Sequence, residues 1–248
     1  LNGGDPIATW RAVKEQHPEP GRLVPAAREQ FLELQEFLRC QSIVTMPDAE
    51  PVVIAASPEF CRGSSAQVWT PGPFENKASR AYSFVTDADG RWPQDRQREH
   101  MRDINFSTLW SLSAHQAYPG NILLSQRLRR VHSKVRTSRF FAATSFVEGW
   151  AHYCEQMMVE VGFRRGEMAI KLGQLTTALA HLARLVVGIR LHCEDLSVEQ
   201  GMRFFRDEAF LEEATARREA ERATVDPLYF ASAAGRLMML KLRRGYKE

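Results

Sequence analysis

The sequence predicts a mainly α-helical fold with a small antiparallel β-sheet near residues 50–86. Three observations carry this. Apolar residues recur at helical spacing before residue 46 and again from residue 93 almost to the end. Between those stretches the composition shifts to short β-rich runs separated by prolines and turn-forming residues. With 248 residues, 44% of them hydrophobic and 25% charged, the chain can bury a substantial core.

Residues 1–45 form a helical lead, broken by "HPEPGRLVP". In "REQFLELQEFLRC", Phe31, Leu34, Phe37 and Leu38 fall on one helical stripe. Residues 46–92 hold the expected sheet. "PVVIAAS", "AQVWT" and "RAYSFVT" have strand length and content, and Pro51, Pro58, Pro71 and Pro73 punctuate them. Residues 93–248 form a helical core. "PQDRQREHMRDINFSTLWSLSAHQAY" is read as one long helix stopped by Pro119-Gly120, and "TSFVEGWAHYCEQMMVEVGF" as a second, capped by Thr144 or Ser145. "KLGQLTTALAHLARLVVGIRLHC" is apolar enough to be largely buried. Ser197 with Gln200 three residues on is a capping-box pattern. A last helix is expected just after Asp226, with Pro227 at its first position. The whole is read as one domain, 1–248.

Composition narrows function. A formal charge of +3 does not argue for nucleic acid, and no apolar run approaches the roughly 18 residues of a membrane span. Cys40, Cys61, Cys154 and Cys193 are widely spaced and form no CxxC pair, so they read as reduced thiols in a cytoplasmic protein. The opening "LNGGDP", without Met or a signal-peptide pattern, reads as the start of a piece of a longer protein. "RLRRVHSKVR" is a basic run that reads as a solvated face, able to receive an acidic partner. No P-loop, G-x-G-x-x-G or G-x-S-x-G is present.

The chemistry-bearing residues gather around two segments. In "EGWAHYCE", Glu148 and His152 stand four apart and share a helix face, so the carboxylate can hold the imidazole or both can reach one metal. In "AHQAYPGN", His115 ends a helix before a Pro-Gly break. The second ligand of an HExxH arrangement would fall on Pro119, so that pair does not exist. Gln116 has a carboxamide that cannot take a proton from water, and Asn121 offers only a neutral oxygen. "GIRLHCEDL" brings Arg190, His192 and Cys193 together near a helix end.

Four segments in order, "HQAYPGN" (115–121), "TSFVEGWAHYCEQMM" (144–158), "VVGIRLHCEDLSVEQGMRFF" (186–205) and "VDPLYFASAAGRLMMLKLRRGY" (225–246), resemble the bacterial "domain of unknown function 885" family, a set of zinc-metallopeptidase-like proteins. The family shows HEAYPGH where this chain has His115-Gln116 and ends the motif on Asn121. Its late tyrosine falls on Ser232. The resemblance implies a multi-helix zinc-peptidase-like fold, matching the C-terminal half of longer chains. It implies that His115 and Glu148 occupy metal-ligand positions and Gln116 the general-base position.

These departures give the expected function: a repurposed, non-peptidase domain of a larger, biosynthetic enzyme. Its former cleft would bind a small or carrier-bound substrate or run metal-free addition, elimination or transfer. The alternatives are a dead structural or interaction module and a divergent zinc-dependent hydrolase. Glu148, His152 and His115 are the expected catalytic residues. Gln116, Asn121, Tyr153, Arg190, His192 and Tyr229 are the expected substrate contacts. No metal or other cofactor is expected, and partners are limited to the substrate and adjacent domains, with neither nucleic acid nor membrane.

Overall fold

The computed structural model describes residues 5–46, 51–75, 80–138 and 140–247, so the first four residues of the opening lie outside it. Two helices lead. α1 (Pro6–Lys14) starts where Asp5 accepts a hydrogen bond from the Ile7 amide and Pro6 supplies a preset φ. α2 (Leu23–Cys40) buries Leu23, Ala27, Phe31, Leu34 and Leu38. Phe37, from the expected stripe, is only partly buried and packs edge-on to Phe163.

The three expected strands form: β1 (Val52–Ala56), β2 (Ala66–Trp69) and β3 (Ala81–Val85). The sheet is mixed, which corrects the antiparallel expectation. β3 lies in the middle, parallel to β1 with Val52 opposite Ala81, and antiparallel to β2 with Ala66 opposite Val85. Strand alternation fixes which face is buried but carries no information on strand direction.

The helical part then follows. The long pattern from residue 94 is two helices, α3 (Gln94–Asp103) and α4 (Phe106–Gln116). Asn105 separates them because its side chain accepts from the Ser107 and Thr108 amides, an N-cap bond that competes with helix continuation. Next come α5 (Asn121–Leu128), α6 (Lys134–Thr137), α7 (Thr144–Glu160), α8 (Met168–Cys193), α9 (Val198–Glu208), α10 (Glu213–Ala223) and α11 (Ala231–Lys247). The cap of α7 is Ala143, with no side-chain bond, so neither Thr144 nor Ser145 has the expected role. The capping box at Ser197 and Gln200 forms. The last helix starts five residues after Asp226, because the intervening residues form a turn closed by Tyr229 N–H to Asp226 O.

Packing produces two apolar centres. One joins α2, the sheet, α3, α4 and α5, with Met158, Phe163 and Ile170. The other joins the later half of α8 to α9, α10 and Tyr229. Lys14, buried, ties the lead to both: its Nζ donates to Asp103 at the end of α3, to Glu212 before α10 and to the Phe210 carbonyl. α8 is long and apolar enough, by length and composition, to cross a membrane, which revises the reading that no such run exists. Here it packs against α4, α7, α9, α10 and α11. α7 and α11 approach most closely at Gly149 and Gly235. A Cβ on Gly235 would stand 1.7 Å from the Ser145 carbonyl oxygen.

Candidate active site

The break in "AHQAYPGN" is built by local hydrogen bonds. The Gly120 amide donates back to the Ala114 carbonyl at 2.9 Å, and a Cβ on Gly120 would meet the His115 carbonyl oxygen at 1.9 Å. Only glycine lets the chain fold back so tightly onto the end of α4. Trp150 Nε1 donates to the Pro119 carbonyl at 3.0 Å, and the Tyr118 hydroxyl to Gln126 Oε1 at 2.8 Å. This turn places His115 and Gln116 at the end of α4 and Asn121 at the start of α5 on the wall of one cleft of about 780 Å³. Glu148, Glu155, His181, Arg184, Glu219 and Tyr229 also line it.

His115 lies between two carboxylates. Its Nδ1 is 2.7 Å from Glu155 Oε1 and its Nε2 is 3.4 Å from Glu148 Oε2. Glu155 is fully buried, and its other oxygen accepts from Ser111 at 2.8 Å and Thr177 at 2.6 Å. His181 Nε2 approaches Glu155 Oε1 at 3.5 Å. Its Nδ1 lies 2.8 Å from Ser232 Oγ and 3.3 Å from an Arg184 guanidinium nitrogen. The guanidinium can only donate, so Nδ1 is the acceptor and the proton of a neutral ring sits on Nε2, facing Glu155.

These contacts set the charges. Burial opposes ionisation of His115, but hydrogen bonds and charge from Glu148 and Glu155 outweigh it and raise its pKa to about 9. Burial likewise pushes the Glu155 carboxyl up, but bonds to His115 and His181 win and hold it well below the usual range. Glu148 is lowered on the same balance, against its burial, by His115. His181 is lowered, first by burial. Behind it, burial and then the neighbouring His181 depress His152 to about 2, so that ring is neutral.

The expected Glu148–His152 pair therefore does not form. His152 is fully buried, stacks on His181 with ring centroids 4.1 Å apart, and has no hydrogen-bond partner on either nitrogen among the described residues. The cleft face of α7 is carried by Glu148 and Glu155, seven residues and nearly two full turns apart. Of the expected substrate contacts, Gln116, Asn121 and Tyr229 line the cleft, and Asn121 Oδ1 is buried without a partner among the described residues. Tyr153, Arg190 and His192 are not part of its wall. Tyr153 packs at a tilt against Trp150 with Arg243 over its ring, Arg190 pairs with Glu194, and His192 Nε2 bonds the Ala223 carbonyl. They share sequence segments with the site but point from other faces of their helices.

A second buried network closes the cleft's far side. Arg184 donates to both oxygens of Glu219, at 2.8 and 2.9 Å, and the Tyr229 hydroxyl donates to the same carboxylate. Burial alone would raise Glu219, but Arg184 holds it at about 2. Sequence reading missed Ser111, Glu155, Thr177, His181, Arg184 and Glu219. The available signals were the i, i+7 spacing of Glu148 and Glu155 and the i, i+4, i+7 spacing of Thr177, His181 and Arg184.

The resemblance implies a zinc ion at His115 and Glu148, and the donor chemistry does not fit a catalytic one. Donor atoms of His115, Glu155 and His181 lie within 4.8 Å of one another. Yet His115 Nδ1 and Glu155 Oε1 lie 2.7 Å apart, a charge-assisted hydrogen-bond distance, so both atoms are engaged with each other and only Nε2 of His115 is left to face the cleft. Ser111 and Thr177 occupy the other Glu155 oxygen. Beyond His115 Nε2 and Glu148, the family's third ligand position offers only the Asn121 amide, short of the three ligands catalytic zinc takes.

A family profile described as "Bacterial protein of unknown function (DUF885)" matches residues 7–248. The chain belongs to the DUF885 family. No functionally curated protein matches the sequence. Among solved structures, it is similar to a "putative lipoprotein of unknown function" from Shewanella oneidensis, at 26% identity and a TM-score of 0.82 over 97% of this chain. A "putative lipoprotein" from Colwellia psychrerythraea shares the fold, at 20% identity and a TM-score of 0.76 over 97% of this chain. This DUF885 chain spans 42% and 40% of the lengths of those two proteins.

Proposed function

We propose that this DUF885 domain is a repurposed, zinc-peptidase-like unit of a larger enzyme. Its cleft would bind a small or carrier-bound polar substrate and move a proton to or from it without hydrolysing peptides. The observation that carries the reading is the chain Ser111/Thr177–Glu155–His115–Glu148, which runs from the buried core to the cleft wall. Glu155, fixed by two hydroxyls, orients His115 and keeps a proton on Nδ1. Nε2 then faces the cleft, where a substrate oxygen can take the place of Glu148. Glu148 is the half-exposed partner and can accept a proton at the mouth of the site. Gln116 and Asn121 can bond a polar substrate without adding charge.

A dead module is less well supported, because the large aromatic side chains nearby do not fill the cleft. Trp110 and Tyr118 sit in the apolar core and Trp150 is tied to Pro119. The proton-transfer classes open to such a site are addition, elimination and transfer beside a carbonyl.

The test is a crystallographic or NMR screen of small carbonyl-, hydroxyl- and carboxylate-bearing compounds at millimolar concentration. Binding at the His115–Glu148 wall, weakened at least tenfold by Glu148→Gln in a folded variant, is expected. Chelator-sensitive peptide cleavage by the native chain, or compounds that bind only elsewhere, would overturn the reading.

A further inference from the structure

We propose that the segment joining α5 to α7 is a docking surface for an anionic lipid bilayer, a partner the sequence reading excluded on the absence of a spanning segment. A span and a surface contact have different requirements. A surface contact needs clustered cations and apolar side chains held in water beside them.

Both are present. From Ile104 to Val147 there is no Asp or Glu, while residues 127–139 carry six Lys and Arg. Those six account for more than the whole formal charge of +3, so the rest of the chain carries −3. Arg130, Lys134 and Arg136 are exposed and make no ion pair among the described residues. Beside them, Phe140 is 97% exposed and Phe141 72%, with Val135 at 61%. Large apolar side chains so fully in water, adjacent in sequence, mark a contact surface.

The segment is held in shape from beneath. Thr137 is buried, and its hydroxyl lies within 3.2 Å of the carbonyl oxygens of Leu128, Val131 and Ser133. Its neighbours Lys134, Val135 and Arg136 stay in solvent. The surface also flanks the cleft, since Asn121 opens α5, Thr144 opens α7, and both line it.

The chemistry selects a bilayer. A polyanion such as duplex DNA rewards the cations but gives nothing to the exposed side chains of Val135, Phe140 and Phe141. An anionic membrane rewards both, headgroups by charge and acyl chains by burial. A second copy of the same surface would bring like charges together.

The test is co-sedimentation of the full 248-residue chain with vesicles of phosphatidylcholine alone or with 30% phosphatidylglycerol, at low and high salt. Each basic side chain near an anionic surface strengthens binding roughly fivefold. The triple change Arg130→Glu, Lys134→Glu, Arg136→Glu should therefore weaken binding to the anionic vesicles by more than about a hundredfold. Phe140→Ser with Phe141→Ser should weaken it at least tenfold while preserving its salt dependence. Circular dichroism confirms folding, which these exposed positions leave intact. No binding to anionic vesicles at low salt, binding that neither variant changes, or tighter binding to a duplex DNA under the same conditions would overturn the proposal.

Discussion

Replacing Glu219 by Gln removes the charge from the buried carboxylate that pairs with Arg184 beside the cleft while keeping its shape. In the native protein Arg184 and Tyr229 hold the Glu219 carboxyl at about 2 instead of the ordinary 4.5. By proton linkage that difference corresponds to about 3 kcal/mol of folding stability. Because the folded-state pKa is the lower one, the unfolded chain takes up the proton first on acidification. The contribution is whole above about pH 4.5, shrinks as pH falls below it, and is gone near pH 2. The variant also strands the buried Arg184 guanidinium, and breaking a buried pair typically costs about 3–5 kcal/mol. Urea unfolding at pH 7 should therefore show a loss of about 3 kcal/mol or more. At pH 3 the gap between native and variant should have narrowed substantially. A loss under about 1 kcal/mol at pH 7, or a gap that stays constant on acidification, would refute the account of this network.

Gly235→Ala would place a Cβ 1.7 Å from the Ser145 carbonyl oxygen, so α7 and α11 must separate. Thermal melts should show a loss of about 1–3 kcal/mol, and unchanged stability would mean that the helix crossing is looser than described. His152→Leu removes two buried ring nitrogens that lack partners among the described residues. Urea titration should find it neutral, or more stable by about 1 kcal/mol, whereas a loss above about 2 kcal/mol would show that His152 has a polar role. Elemental analysis of protein purified without chelator should find no stoichiometric zinc, and about one zinc per chain, lost in His115→Ala, would contradict the donor-set argument. Gln116→Glu alone should not create peptide hydrolysis in a fluorogenic peptide assay, because a base without the third ligand at Asn121 cannot activate a metal-bound water.

Much of the fold was determined by sequence alone. The α2 stripe, the three strands and the Ser197 capping box follow from periodicity and local hydrogen bonding, which act over a few residues. The break at Tyr118–Asn121 was legible for the same reason, since Pro-Gly chemistry is local. Where two local signals competed, the stronger had to be measured in space. Asn105 caps α4 and splits a pattern that reads as one helix, and the segment after Asp226 turns before α11 begins.

The site itself was decided by tertiary structure. Sequence placed Glu148 and His152 together because residues four apart share a helix face, yet that spacing cannot say which of them meets α4 and which meets α8. Packing turned His152 into the interior against His181 and left Glu148 and Glu155 to hold His115 across the cleft. Thr177, His181 and Arg184 share one face of α8, at i, i+4 and i+7, but Ser111 on α4, Glu155 on α7 and Glu219 on α10 lie tens of residues from them, and no local spacing relates these separate elements. The sheet's strand directions were undetermined for the same reason. Propensity and periodicity are properties of neighbours along the chain, whereas the partner of a buried charge is chosen by whichever distant element packs against it.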